Sequence, residues 1–139
     1  MARQIKDQGM KVQIISGDAL VTQEYWNITG DAGEGTLMTF GPDPRGKASA
    51  RKVVKKFEDA GLNPEGYVLY SYAALQVFEQ AATKAKSTKS NDVKKAMRST
   101  SFDTVIGTIN FDKKGDVIAT TKDPLYIFYK FSKGSYAPL

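Results

Sequence analysis

The stretch KVQIISGDALVTQEYW, residues 11–26, places a carboxylate where an apolar strand ends. Residues 11–16 predict a buried strand, and Gly17 and Asp18 follow it directly. A Gly-Asp pair is common in turns, and the residues alone favour that interpretation of Asp18. A ligand contact is the alternative, because ligands of open α/β sheets bind outside the carboxyl ends of strands. A carboxylate at such a position suits a cationic group such as an ammonium.

Composition limits the class of protein. The 139 residues fit one domain or parts of two small lobes. A content of 41% hydrophobic residues supports a packed core, and no apolar run approaches the 18 residues of a membrane span. The first residues, MARQIKDQGMK, lack the apolar core of a secretory signal. We therefore expect a globular α/β chain that does not itself carry a signal peptide.

The residue types disfavour an enzyme. There is no cysteine and no histidine, which removes thiol nucleophiles, Ser-His-Asp relays and zinc sites with thiolate or imidazole ligands. The glycines at 30, 33 and 35 precede a predicted strand and do not follow the dinucleotide fingerprint. We predict no catalytic residue, no metal ligand and no cofactor.

The formal charge of +5 is modest and spread along the chain. An amphipathic helix is predicted around Val53, Val54 and Phe57, with Gly61 just beyond its end and basic side chains opposite the apolar stripe. A nucleic-acid-binding face is an alternative for that helix. A solvated surface is the favoured interpretation, and no nucleic-acid partner is predicted.

The order of elements indicates an α/β fold with the parallel part first. A helix over 2–9 ends at Gly9, and a short helix capped by Thr22 separates the strand at 11–16 from a strand at 36–40. A hairpin-like region follows the later helices. It consists of a strand over 104–111, the turn DKKGD, and the carboxyl-terminal segment LYIFYKFSKGSYAPL with a further strand and turn.

Two further helices are predicted between the amphipathic helix and that hairpin-like region. The first covers 67–87, where apolar residues recur at helical spacing: Tyr72, Leu75, Phe78 and Ala82. Its tyrosines are core or binding residues, and core packing is favoured for each of the three: Tyr67, Tyr70 and Tyr72. The second helix covers 90–99 and is capped by Ser90 or Asn91.

Four collinear motifs carry a family resemblance. They are ARQIKDQGMKVQIISGDALVT, NITGDAGEGTLMTFGPDP, EGYVLYSYAALQVFEQAATKA and FDTVIGTINFDKKGDV. In this order they resemble the carboxyl-terminal part of periplasmic branched-chain amino-acid-binding proteins, the solute receptors of ABC importers. The resemblance implies a partial type I periplasmic-binding-protein fold, with parallel strands, flanking helices and carboxyl-terminal hairpin-like strands.

The resemblance also implies a division of the chain between two lobes that close on a ligand. Residues 1–41 correspond to part of the second lobe, and 42–104 supply helices of the first lobe. Residues 105–139 correspond to the strands that return through the hinge and to the carboxyl-terminal segment. The chain then begins inside a helix of the second lobe.

Two ligand-binding residues follow from the resemblance. In the family an acid at the position of Asp18 neutralises the ammonium of a bound amino acid. The family often has glutamate there, so Asp18 is a shorter version. An aromatic residue at the start of the long helix commonly packs on the ligand, and Tyr67 matches it.

The function implied is non-catalytic capture of branched-chain or related amino acids in the periplasm, with an ABC permease in the membrane as partner. A ligand-sensing regulatory domain of the same fold is the alternative. A parallel sheet without neighbouring strands exposes strand edges and apolar helix faces. We therefore also predict self-association of the chain.

Overall fold

The computed structural model describes residues 1–119 and 124–139. Its helices are α1 (Ala2–Asp7), α2 (Gln23–Thr29), α3 (Arg51–Asp59), α4 (Val68–Ala85) and α5 (Ser90–Met97). Its strands are β1 (Ile15–Ser16), β2 (Leu37–Phe40), β3 (Phe102–Thr104), β4 (Gly107–Ile109), β5 (Ile127–Ser132) and β6 (Ser135–Pro138). The fold class is mixed α/β, as predicted. Within the described residues no helix is both long and apolar enough to cross a membrane.

The chain forms two compact units. The first comprises Met1–Pro42 and the carboxyl-terminal segment that carries β5 and β6, and the second begins at Asp43 and carries α3 to α5, β3 and β4. Assignment of the chain to lobes at 1–41, 42–104 and 105–139 stays a prediction. Residues 120–123 of the last segment lie outside the described residues.

The first unit contains a four-stranded sheet in the order β1-β2-β5-β6. β1 pairs with β2 in parallel, with Ile15 opposite Leu37. β5 pairs antiparallel with both β2 and β6, so the predicted parallel part and carboxyl-terminal hairpin are confirmed. β1 is shorter than the predicted strand at 11–16 because it lies at the edge of the sheet, where a ladder forms on one side only.

The core of the first unit lies between this sheet and α2. Met38 and Phe131 are fully buried on neighbouring strands, and Tyr129 is 2% exposed. The rings of Tyr25 and Trp26 on α2 lie 5.1 and 6.1 Å from the ring of Phe131. Aromatic packing of this kind fixes the helix on the sheet.

The second unit is built around α4. Leu69 and Ala73 pack with Val53 of α3 and with Val105. One turn further along, another cluster joins α4 to α5 and β3; its buried members are Val77, Ala81, Val93, Ala96 and Phe102. Alanines at the contacts let the backbones of neighbouring elements approach closely. The core therefore follows a stripe of α4 residues spaced by four.

The buried stripe of α4 differs from the apolar stripe that the sequence spacing predicted. Tyr72, Leu75 and Phe78 are 36%, 71% and 47% exposed. The core interpretation is also wrong for Tyr67, which is 50% exposed, whereas Tyr70 is half-buried. α4 carries apolar residues on nearly every face, so spacing alone does not distinguish the packed face from the exposed one.

The predicted strand at 104–111 is wrong as a continuous element. The chain reverses after β3, and β3 and β4 pair antiparallel. Gly107 adopts φ +107°, a conformation that favours glycine. The Thr104 hydroxyl donates to the Gly107 carbonyl oxygen at 2.7 Å and stabilises the reversal.

The predicted cap of α5 is also wrong. Lys89 is the residue that precedes α5, and Ser90 is already helical. The Ser87 hydroxyl accepts from the Lys89 backbone N–H at 3.1 Å and donates to the Asp92 carboxylate at 2.8 Å. Ser87 therefore supplies the polar contact expected of the cap, from outside the helix.

The DKKGD turn is confirmed. Phe111 and Val117 bridge antiparallel across it. Three backbone N–H groups, those of Lys114, Gly115 and Asp116, donate to Oδ1 of Asp112. These hydrogen bonds, chiefly the one from Asp116, hold the pKa of Asp112 below its usual range.

An ion pair organises the start of the second unit. Arg45 Nη2 lies 2.6 Å from Asp43 Oδ2, and Arg45 Nη1 donates to the Asn63 side chain at 2.8 Å. Partial burial acts to raise the pKa of Asp43, but the hydrogen bonds and charge of Arg45 outweigh it and lower that pKa.

A matched pair of substitutions in α4 tests which stripe is buried. Leu69 is fully buried and Leu75 is 71% exposed. We expect Leu69→Ala to lower the free energy of unfolding by about 2–5 kcal/mol and Leu75→Ala to change it by less than about 0.5 kcal/mol. Urea unfolding followed by circular dichroism measures both. Equal losses would contradict the assignment of the buried stripe.

The Asp43–Arg45 pair predicts a pH dependence of stability. A carboxyl pKa that is lower in the folded state stabilises the fold above the unfolded-state pKa of about 3.9, and the contribution disappears as pH falls through the folded-state value. Because the Asp43 side chain is 38% exposed, we expect Asp43→Asn to cost only about 0.5–1 kcal/mol at pH 7. The difference from the unsubstituted chain should vanish near pH 2. A cost independent of pH would contradict the ion-pair explanation.

Candidate ligand-binding site

Asp18 lies at the carboxyl end of a parallel strand pair. β1 ends at Ser16, Gly17 follows, and Asp18 begins a short 3-10 helix over Asp18–Leu20. The backbone N–H of Val21 donates to the Asp18 carbonyl oxygen at 3.0 Å, and the Val21 side chain is 2% exposed. Burial of Val21 anchors the segment, so the position of Asp18 follows from the β1–β2 pairing.

The surroundings of Asp18 suit an acceptor role. Its side chain is half-buried, and Oδ1 accepts from the Ala19 backbone N–H at 2.9 Å. A carboxylate offers about four acceptor directions, so this bond is compatible with a cationic ligand group. A Cβ built on Gly17 would meet no atom within 4 Å. Space is therefore open beside the chain where the strand ends.

Helix α2 is held against the sheet next to this strand end. The Tyr25 hydroxyl hydrogen-bonds the hydroxyl of Thr36 at 2.9 Å, and Thr36 is 1% exposed. Gln23 Nε2 donates to the Gly134 carbonyl oxygen at 2.8 Å. These contacts join α2 to residues before β2 and to the turn between β5 and β6, and they give the Asp18 segment a fixed support.

Tyr67 lies in the second unit, immediately before α4. Gly66 precedes it with φ +59°, and the Tyr67 carbonyl oxygen accepts from the Ser71 backbone N–H at 2.8 Å. The residue is 50% exposed, so part of it lies at the surface of this unit. Because Asp18 belongs to the first unit, a joint role of the two residues stays a prediction.

The described residues contain no cluster of three or more histidine, cysteine or acidic side chains that could hold a metal ion. Among the described residues, the carboxyl groups of Asp43 and Asp112 have a lowered pKa, and they belong to a structural ion pair and a turn. Asp18 itself offers a carboxylate whose Oδ1 already accepts one backbone N–H and which has further acceptor directions.

Sequence reasoning missed an apolar groove beside the Asp18 segment. The groove has a volume of about 420 Å³ and is lined by residues that include Ile14, Ile15, Tyr25 and Ile28. The sequence contains only a weak signal of this groove: Ile28 is three residues from Tyr25 on one face of a helix.

The chain is similar to known proteins over nearly its whole length. The family model described as periplasmic binding protein matches residues 1–133. A Leu/Ile/Val-binding protein homolog 1 from Brucella suis is 51% identical over 134 residues, which are 96% of this chain and 35% of the relative. An amino acid binding protein from Pseudomonas aeruginosa is 38% identical over 145 residues, 100% of this chain and 37% of that relative.

The chain is also similar to a solved structure. A leucine-binding protein from Thermotoga maritima superposes with a TM-score of 0.80 at 26% identity, over 99% of this chain and 39% of that structure. The chain thus spans little more than a third of the length of the proteins it matches. From the match over nearly all of its residues, the chain belongs to the periplasmic binding protein family.

Proposed function

We propose that the chain is part of the solute-binding component of an ABC importer for branched-chain or related amino acids. The observation that carries this proposal is the 51% identity to a protein named as a Leu/Ile/Val-binding homologue. The role is capture of a ligand between two lobes, without catalysis. The periplasm is the proposed location, and a permease in the membrane is the proposed partner. Self-association of the chain stays a prediction.

Recognition of the amino acid's ammonium group is assigned to Asp18. Support comes from its place at the carboxyl end of β1, from its half-buried side chain and from the open space beside Gly17. In a partly dehydrated cleft an ammonium–carboxylate pair is stronger than in water. Asp18 is therefore proposed to distinguish amino acids from compounds that share the side chain but lack the ammonium.

Packing against the ligand is assigned to Tyr67. Its ring is half exposed at the start of α4, where its own backbone is held by a hydrogen bond into the helix. An aromatic ring presents a large apolar face at little cost in side-chain entropy. Tyr67 is thus proposed to contribute to affinity through the contact area of its ring, and its hydroxyl group is proposed to contribute less to affinity.

The role of Asp18 can be tested in a full-length chimera, in which these 139 residues replace the matched 134 residues of the Brucella suis homologue. We expect Asp18→Asn to weaken leucine binding by about 2–5 kcal/mol, or roughly 30- to 5,000-fold in Kd. The cause is loss of the charged partner of the ammonium. Calorimetry with leucine, isoleucine and valine measures the effect.

Two controls make this test specific. Asp31→Asn changes an exposed acid on another 3-10 helix of the same unit and should leave Kd within twofold. Titration with 4-methylpentanoate, which has the leucine side chain without the ammonium, should show equally weak binding with or without Asp18. A loss below about threefold for leucine would mean that Asp18 is a turn residue only.

The role of Tyr67 predicts a different pattern in the same chimera. Tyr67→Phe keeps the ring and should retain the affinity for leucine, whereas Tyr67→Ala should weaken it by roughly 3- to 30-fold through loss of aromatic contact. Tyr72→Ala, on the same helix and 36% exposed, is the control. If Tyr67→Ala and Tyr72→Ala had the same effect, a specific ligand contact would be contradicted.

A further inference from the structure

The positive charge of the chain is concentrated in the second unit. Residues 43–119 hold fourteen of the twenty basic side chains and nine of the fifteen acidic ones. The difference of five equals the formal net charge of the whole chain, and the remaining residues carry basic and acidic groups in equal number. The net charge of the chain therefore lies in one of its two units.

Within this unit, the end of α4 and the whole of α5 form a basic corner. It consists of six exposed side chains between residues 84 and 98: Lys84, Lys86, Lys89, Lys94, Lys95 and Arg98. Asp92 is the only acidic residue in that range, and its Oδ2 accepts from the Ser87 hydroxyl at 2.8 Å. Clustered charges of one sign produce a local potential that attracts anions.

The packing of α5 on α4 determines where these charges lie. Val93 and Ala96 of α5 are buried in the cluster that joins the two helices. With about 3.6 residues per helical turn, Lys94, Lys95 and Arg98 lie on the opposite side of α5 from this apolar stripe. The buried stripe thus holds the basic side chains on the solvent face of the unit.

The basic corner is a surface that favours solvent or an anionic partner. Removing six cations from water is unfavourable unless each of them is paired. Residues 79–116 contain no large hydrophobic side chain that is exposed, so a covering protein element would gain little from apolar burial here. We therefore expect the basic corner to be exposed in a full-length receptor as well.

We propose that the basic corner is a contact surface for the anionic headgroups of a phospholipid bilayer. The membrane as the partner rests on the proposed function, in which the chain delivers its ligand to a permease. A bilayer that contains anionic lipids has a negative surface potential, which attracts lysine and arginine side chains near the surface. Such a contact raises the concentration of the receptor next to the permease without adding a specific protein contact.

The composition of the basic corner favours a lipid surface over a protein or a nucleic acid. Five of its six side chains are lysines, a residue type that is depleted at protein–protein interfaces, where arginine and aromatic residues are enriched. A lysine ammonium is a hydrated point charge on a flexible stem, which suits mobile headgroups. Single-stranded nucleic acids stack on aromatic rings, and none is among the exposed residues at 79–116.

Vesicle binding by the full-length chimera tests the proposal. The probe is vesicles of equal parts phosphatidylglycerol and phosphatidylcholine, with pure phosphatidylcholine as the reference, and bound protein is measured by flotation. We expect Lys94→Glu/Lys95→Glu to weaken binding to the anionic vesicles at least tenfold, because it reverses two charges of the basic corner. These two lysines are chosen because the charge of Arg98 also acts on Asp112.

A matched control changes the net charge equally. Lys52→Glu/Lys56→Glu alters two exposed lysines of α3 in the same unit and should change vesicle affinity by less than about threefold. Equal losses for the two double variants would overturn the proposal, because total charge would then determine binding. Absence of binding to anionic vesicles at low salt, or binding to duplex DNA but not to vesicles, would also overturn it.

Salt dependence provides a readout that does not depend on folding of the variants. Vesicle binding by the unsubstituted chimera should fall at least tenfold between about 20 and about 300 mM salt, because salt screens exposed charges. Binding that is unchanged by salt would contradict a headgroup contact. Calorimetry with leucine on the same samples separates this inference from the proposed function. A chimera that binds leucine but not anionic vesicles would overturn the headgroup contact alone, and one that binds anionic vesicles but not leucine would overturn amino-acid binding alone.

Discussion

β2 pairs with strands from two distant parts of the sequence. β1, which ends at Ser16, lies along one side of β2, and β5, which starts at Ile127, lies along the other. The first pairing is parallel and the second antiparallel, so β2 joins the amino-terminal α/β part to the carboxyl-terminal hairpin. Met38 at its centre is fully buried. The position of Asp18 and the orientation of α2 both depend on this strand.

The position of α2 depends on contacts with β5 and with the residue that precedes β2. Thr36, just before β2, hydrogen-bonds the Tyr25 hydroxyl, and Phe131 of β5 packs against Tyr25 and Trp26. A break in the β2–β5 pairing would remove the support of α2, and with it the frame around the Asp18 segment. Stability of the sheet and geometry of the candidate site are therefore coupled in this unit.

Much of the local structure could be predicted because it depends on neighbours in sequence. Gly9 and Gly61 adopt positive φ at the ends of α1 and α3, and Asp112 gathers three N–H groups of the DKKGD turn. What the pattern did not provide depends on distant partners. The length of β1 is limited by its place at a sheet edge, and α4 is apolar on both the buried face and the face with Leu75.

The candidate site was likewise only partly predictable from the sequence. That an acid follows the end of an apolar strand is visible in the sequence, and the structure adds the 3-10 helix and the buried Val21 that hold it. Ile28, by contrast, gave little signal because its partners in the groove come from β1 and the amino end of α1. Residues that meet only after folding are the ones that periodicity does not identify.

The apolar groove and the Asp18 segment share one short element. Ala19 and Leu20 line the groove, whereas Asp18, in the same 3-10 helix, presents the acid. Since a preorganised charge binds its partner at a lower entropic cost, the anchoring of that helix by the buried Val21 would favour the proposed recognition of an ammonium group. The same 3-10 helix thus carries both the acid and part of the apolar groove.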